Sequence, residues 1–290
     1  MENLWMVFVL GYGILKGGRE CMKKAALKKS SLLETLFLYM LVGFVFTLPD
    51  LKSALECEPF FIFMGFVKAV VVCTGFLFSF IAISGLPIGF YSIMTLSQMV
   101  FTTLIGITFL GEDFGTLNLI ALLMVICGLV MVNLKNNNDD GKKIKIFAVL
   151  AILGYTFFNS ISSCMDKVLT KTMSPAQLQF WFMFFSVIFY AVIIIVKKEK
   201  VSVKTLKTNF WIPLMGFLLV FGDRLLFIAN SSPKSKVTVM TLLLQCSVVI
   251  TVILGKIIYK EKHFLYKLLC ASIIIAGIVI GSLWKKFKYI

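Results

Sequence analysis

Histidine and acidic residues are scarce in this sequence. His263 is the one histidine among 290 residues, and 14 Asp and Glu stand against 29 Lys and Arg. A single histidine excludes a catalytic histidine dyad and a multi-histidine metal centre. The motifs H-E-x-x-H, G-x-S-x-G and G-x-G-D are all missing, and so is a P-loop, so neither intramembrane hydrolysis nor ATP-driven pumping by this chain is expected. The seven cysteines form no C-x-x-C, are odd in number and lie nearly all within apolar runs. They read as small buried hydrophobes rather than as a disulfide or metal framework. No catalytic residue, metal site or cofactor is expected, and the chain is not read as an enzyme.

Charge is also sparse, at 15% of residues, whereas 59% are hydrophobic and the mean hydropathy is +0.96. A soluble domain cannot bury that much apolar surface, so lipid is the expected solvent for most of the chain. The net charge of +15 fits basic loops held near anionic lipid, and no nucleic-acid partner is expected. Met1-Glu-Asn lacks the basic start of a cleaved signal, so the first apolar run reads as a retained helix in a plasma or bacterial inner membrane.

A spanning helix needs about twenty residues, and the apolar runs divide into ten such segments: 4–24, 32–49, 59–83, 87–110, 116–134, 146–168, 175–196, 209–230, 234–258 and 264–284. Polar linkers at 135–143 and 197–207 are the longest, and the first of them divides the chain nearly in half. The expected fold is an all-α integral membrane protein of two five-helix halves, 1–138 and 139–290.

The halves repeat one another. Leu10-Gly-Tyr-Gly-Ile-Leu-Lys-Gly-Gly-Arg-Glu-Cys-Met-Lys-Lys24 returns as Leu153-Gly-Tyr-Thr-Phe-Phe-Asn-Ser-Ile-Ser-Ser-Cys-Met-Asp-Lys167, identical at six positions. Further on, Gly75 and Phe80-Ile-Ala82 match Gly222 and Phe227-Ile-Ala229, and Glu112 and Glu261 are each followed sixteen residues later by a glycine. Five spans per half is an odd number, so the second half enters the membrane in the opposite sense. This is an inverted-topology repeat, the architecture in which two halves rock around a midplane site.

Ionisable groups at membrane depth are costly and face a cavity or a partner. Tyr12, Lys16, Arg19 and Lys23 share one face of the first span, and Glu20 lies within reach of Lys16 and Lys24. The matching face of the sixth span carries Tyr155, Asn159, Ser162 and Asp166. In one reading Lys16 and Arg19 hold an acidic group of a substrate while Tyr12 and Tyr155 shape its cavity, since a guanidinium suits bidentate recognition of an oxyanion. In the other, the first helix ends early and these charges meet headgroups. Asp223 and Arg224 are adjacent, point about a hundred degrees apart on a helix, and each needs a separate partner. Lys68 either snorkels or pairs. Tyr91, Thr95, Gln98 and Thr102 line one face of the fourth span, and Thr238, Thr241 and Gln245 line one face of the ninth, as interhelical hydrogen-bonding groups or as a polar route. Gly277-x-x-x-Gly281 suits internal packing or a homodimer.

The ordered set of features resembles the EamA-type branch of the drug/metabolite transporter superfamily. These features are a glycine-aromatic pair followed by lysine in the first helix of each half (Gly11-Tyr12 to Lys24, Gly154-Tyr155 to Lys167), a proline opening each fourth helix, and Gly111-Glu112 or Lys260-Glu261 closing it. The chain departs from the family in having tyrosine after the glycine rather than tryptophan before it. It also carries more charge between Lys16 and Glu20. The resemblance implies a carrier of a small metabolite, often an exporter, with a central cavity between the first, third, fourth, sixth, eighth and ninth helices. The expected substrate is an amino acid or organic anion, with coupling to a proton or a counter-substrate. A carrier of cations or drugs using Glu20, Asp166 and Asp223 is the alternative, and a lipid-linked-sugar flippase is a more distant one.

Overall fold

The segments expected to span a membrane are helices wherever the computed structural model describes them, at residues 4–110, 116–139, 146–232, 240 and 243–287. The long elements are α1 (Leu4–Ala26), α2 (Leu32–Thr47), α3 (Pro59–Gly85), α4 (Ile88–Met94), α5 (Gln98–Leu110), α6 (Thr116–Asp139), α7 (Ile146–Leu169), α8 (Pro175–Lys197), α9 (Trp211–Ser231), α10 (Cys246–Tyr259) and α11 (Phe264–Phe287). Local sequence sets several ends. Ser31 caps α2 by accepting from the Glu34 amide, and Ser174 with Gln177 makes a reciprocal capping box ahead of Pro175 at the start of α8. Pro59 opens α3, where its missing N–H is no loss.

Among the described residues, five helical stretches are long and apolar enough to cross a membrane: Leu32–Leu55, Pro59–Gly85, Ile146–Asp166, Pro175–Lys197 and Trp211–Ser231. Shorter apolar helices accompany them at Ile88–Thr102, Leu122–Val132, Cys246–Tyr259 and Phe264–Gly277. The chain turns its apolar side outward. On α1, Val7 and Ile14 are exposed while Arg19 and Lys23 on the opposite face are buried. That is the reverse of a water-soluble amphipathic helix.

The fourth expected span, 87–110, is not one α-helix. A 3-10 turn at Thr95–Ser97 separates α4 from α5. Thr95 spends its hydroxyl on the Ser92 carbonyl at 2.6 Å and Ser97 bonds Thr156 at 3.0 Å, so side chains compete with the backbone ladder there. A turn also stands at Gln245, ahead of α10.

Packing follows an exchange between the halves. The first helix of each repeated motif packs on helices from the other side of the 140–145 linker, α1 on α9 and α10, and α7 on α3 and α5. Both α2 with α8 and α6 with α11 close the remaining seams. Glycines allow the tight contacts. A Cβ on Gly17 would lie 2.8 Å from the Ser247 carbonyl and 2.9 Å from Ile250, whereas one on Gly18 would meet nothing within 4 Å. Gly13 and Gly17 thus serve the α1–α10 seam within the chain.

Gly17→Ala is expected to lower the melting temperature in detergent, through overpacking worth about 1–3 kcal/mol. Gly18→Ala is expected to leave it unchanged or raise it, since glycine in a helix is about 0.5–1 kcal/mol worse than alanine. Equal effects of the two substitutions would contradict this seam.

Candidate functional site

Helix α1 does not end early. It continues through Lys16, Arg19, Glu20 and Lys23 to Ala26, and Arg19 and Glu20 are only 4% and 5% exposed while Lys23 is fully buried. Such groups stay charged in a low-dielectric interior only with partners at hand. The Arg19 Nη1 lies 3.9 Å from Asp223 Oδ1 on α9. Lys23 Nζ donates to Glu20 Oε1 at 2.8 Å and to Ser79 Oγ on α3 at 3.3 Å, and sits over the rings of Phe76, Phe80 and Tyr155. Glu20 therefore pairs with Lys23, three residues on, rather than with Lys16 or Lys24. Lys24 instead reaches the Leu86 carbonyl at 2.6 Å. Lys16 is half-buried and lies within electrostatic range of Glu20 and Asp223.

Tyrosines surround this charge cluster. Tyr91 on α4 shares a 2.7 Å hydrogen bond with Ser79, and its ring stacks on Tyr155 of α7 with centroids 6.4 Å apart. Tyr12 is buried, and a Cβ on Gly222 would touch its ring at 3.3 Å, which fixes α1 close against α9. Asn159 donates to Gln98 Oε1 at 2.7 Å, Gln98 donates to Ser163 at 3.3 Å, and Thr102 approaches Ser160 at 3.3 Å. Gln98 and Thr102 thereby join α5 to α7, while Thr95 turns back on its own helix.

A second ion pair lies between α3 and α7. Lys68 is 2% exposed, donates to Asp166 and, at 3.2 Å, to Ser162, and sits over the rings of Phe182 and Phe227. It pairs rather than snorkels. Asp223 and Arg224 do part company: Arg224 bonds Asp50 beyond the end of α2 and donates its Nε to Gln179 at 2.6 Å. Arg224 thus belongs to an open groove with Phe46, Pro49, Phe217 and Phe221, apart from the Arg19 cluster. Each of these three pairs, Arg19–Asp223, Lys68–Asp166 and Arg224–Asp50, joins a residue before the 140–145 linker to one after it.

Of the residues singled out from sequence, Tyr12, Lys16, Arg19, Glu20, Tyr91 and Tyr155 gather around the inner end of α1. Gln98, Asn159 and Thr95 lie along the α5–α7 seam, Gln245 sits in the turn before α10, and Thr241 lies outside the described residues. Sequence reasoning passed over Ser79, Tyr39 and Gln179. A second glutamine just inside the apolar run, two residues after the capping Gln177, was a legible signal for Gln179, whereas nothing local marks Ser79. Beside Tyr155, a narrow crevice lined by Val72, Gly75, Phe76, Asn159 and Ser162 has a cavity volume of only about 10 Å³, far below the roughly 300–1,000 Å³ of a small-molecule pocket. Among the described residues, no cluster of His, Cys, Asp and Glu is arranged to hold a metal ion.

Lys68→Ala is expected to cost about 3–5 kcal/mol because it strands Asp166 in the interior, while Lys68→Met with Asp166→Asn is expected to recover most of that loss. A double-mutant cycle on thermal stability in detergent checks it, and additive losses would contradict the pairing.

No curated protein matches the sequence. One solved crystal structure of a protein shares 11% identity with it, at a TM-score of 0.68 and with 97% of each chain covered, which is a likeness of fold. The model of the EamA-like transporter family matches the chain twice, over residues 3–134 and 146–283. Two copies of that family unit, built from apolar helices that bury their charges against one another, identify the chain as an integral membrane protein that belongs to the EamA-like transporter family.

Proposed function

We propose that the protein is a secondary-active carrier of a small polar metabolite, an amino acid or an organic anion, working by alternating access. Its two halves are 1–138 and 139–290, each of five spans and opposite in orientation. The exchange in packing supports this: each opening helix, α1 and α7, wedges between helices of the other half, as two inverted units that rock against each other require. The membrane is a plasma or bacterial inner membrane, and transport is coupled to a proton or a counter-substrate.

One observation carries the reading. The ion that α1 presents to the other half, Arg19, is almost wholly buried, yet its contact with Asp223 is long at 3.9 Å. A guanidinium has five N–H donors, and a 3.9 Å contact is an ion pair without a hydrogen bond. Arg19 is thus a cation placed at the seam between the halves with donors to offer an oxyanion. Tyr12, Tyr91 and Tyr155 supply the walls, and Lys16 adds positive potential. When the substrate leaves, Asp223 and Glu20 keep the arginine neutralised, so the empty carrier can still close and return. The alternative rests on the same long contact seen from the other side: a cationic substrate would take Asp223 and displace Arg19.

The test is uptake into proteoliposomes of pooled labelled amino acids, organic acids and amines. Arg19→Lys preserves the charge but loses the planar fork. It is expected to keep the melting temperature within a few degrees and to reduce uptake of an acid or amino acid by about thirtyfold or more, the equivalent of a truncated buried charge contact of roughly 2 kcal/mol or above. Wild-type uptake by Arg19→Lys would overturn the assignment, and loss of amine uptake in Asp223→Asn alone would establish the cationic alternative.

A further inference from the structure

Three polar atoms near the inner end of α1 have no hydrogen-bond partner although they are enclosed: Arg19 Nε, Glu20 Oε2 and the Tyr39 hydroxyl. Tyr39 on α2 is fully buried, its ring lies 6.2 Å from both Phe76 and Phe80, and it stands within electrostatic range of Arg19, Asp223 and Glu20. Buried polar groups in folded proteins are almost always satisfied, so orphaned ones in a cluster call for an explanation. Their chemistry is specific. Arg19 Nε–H can only donate, Glu20 Oε2 can only accept while ionised, and a phenol beside a guanidinium has its hydroxyl hydrogen to give.

Two donors and one acceptor, drawn from α1 and α2, match a molecule that carries an acceptor and a donor together. Arg19 and Glu20 are consecutive and point about a hundred degrees apart on the helix, so they can grip two different groups of one small ligand. Building on the transport reading above, we infer that this cluster is the head-group site for a zwitterion, with Arg19 and Tyr39 receiving its carboxylate and Glu20 its ammonium. Tyr39 is the new element. It comes from α2, a helix outside the set that the resemblance assigns to the cavity, and no repeat motif marks it. The phenyl rings of Phe76 and Phe80 hold its ring, which leaves the hydroxyl free for the ligand. The Lys23 contact to the other Glu20 oxygen fixes the carboxylate and leaves Oε2 without a partner.

The experiment measures binding to the purified full chain in detergent by calorimetry and thermal shift. The probes are the individual proteinogenic amino acids, the same compounds N-acetylated, and their desamino acids. A buried hydroxyl with no protein partner costs the ligand-free fold its desolvation, so Tyr39→Phe should melt with or above the wild type in the absence of ligand. It should also bind the best amino acid about tenfold or more weakly, the loss of one hydrogen bond to a charged group. N-acetylation and removal of the amine should each weaken binding to the wild type. Glu20→Gln should remove the preference for the amino acid over its desamino partner. Full affinity in Tyr39→Phe, a lowered ligand-free melting temperature in that variant, or equal binding of desamino acids would each overturn the inference. Loss of binding in Arg19→Lys with none in Tyr39→Phe would leave the carrier of acids standing without this site. Failure of the wild type to bind any of these probes would remove both.

Discussion

Burial of charge in α1 is the constraint on which the rest of the structure depends. Arg19, Glu20 and Lys23 lie within two turns, buried among the helices and, at Lys23, against aromatic rings. A lone ion there is prohibitively costly, so the helix is stable only if neighbouring helices bring counter-charges and hydroxyls to it. Asp223 of α9, Ser79 of α3 and the ring faces of Phe76, Phe80 and Tyr155 meet that demand. Because these partners come from both halves, satisfying one helix assembles the centre of the molecule.

The small residues follow from the same demand. Charges as short of reach as Glu20 and Asp223 need backbones that approach closely, and Gly13, Gly17 and Gly222 let α1 sink against α9 and α10. Lipid supplies no hydrophobic drive between helices, so close packing and interhelical hydrogen bonds have to hold the seams. Tyr190 to the Cys73 carbonyl, Tyr259 to the Cys21 carbonyl and Gln179 to the Val220 carbonyl are such bonds, each at 2.7 to 2.8 Å. Glu261 does similar work at the start of α4, where it accepts from the amides of Ile88 and Gly89 and from Lys267 at 2.8 Å.

A seam held by ion pairs differs in function from one held by apolar packing. Tightly packed side chains have no substitute for one another, but a charged substrate group can replace one member of an ion pair without exposing the other. In the proposed carrier, the three pairs described above are of this exchangeable kind, and two of them, Arg19–Asp223 and Lys68–Asp166, link an opening helix to the third helix of the opposite half. On that reading, occupancy is coupled to the separation of the halves. The hydroxyl of Tyr39 and Oε2 of Glu20 are further buried polar atoms at the same centre without a hydrogen-bond partner.

Some of this was legible in the chain itself. The doubled Gly-Tyr to Cys-Met-x-Lys motif, the apolar runs and the charges inside the first of them determined an all-helical membrane protein with a repeat. The length that a span requires, with the match to the sixth span, pointed to an α1 that runs on through Arg19 against the reading in which it ends early, and the helical angle between Asp223 and Arg224 required two separate partners for them. Both are consequences of fixed helical geometry. The identities of those partners were not legible. Asp50 lies more than a hundred and seventy residues from Arg224, Lys68 meets Asp166 across the linker, and Ser79 and Tyr39 sit in runs that look uniformly apolar. Period and spacing report only which residues share a face of one helix. Which face meets which is decided by the packing of all the helices together, because an ion in a low dielectric takes whichever partner the close contact of two helices brings within reach.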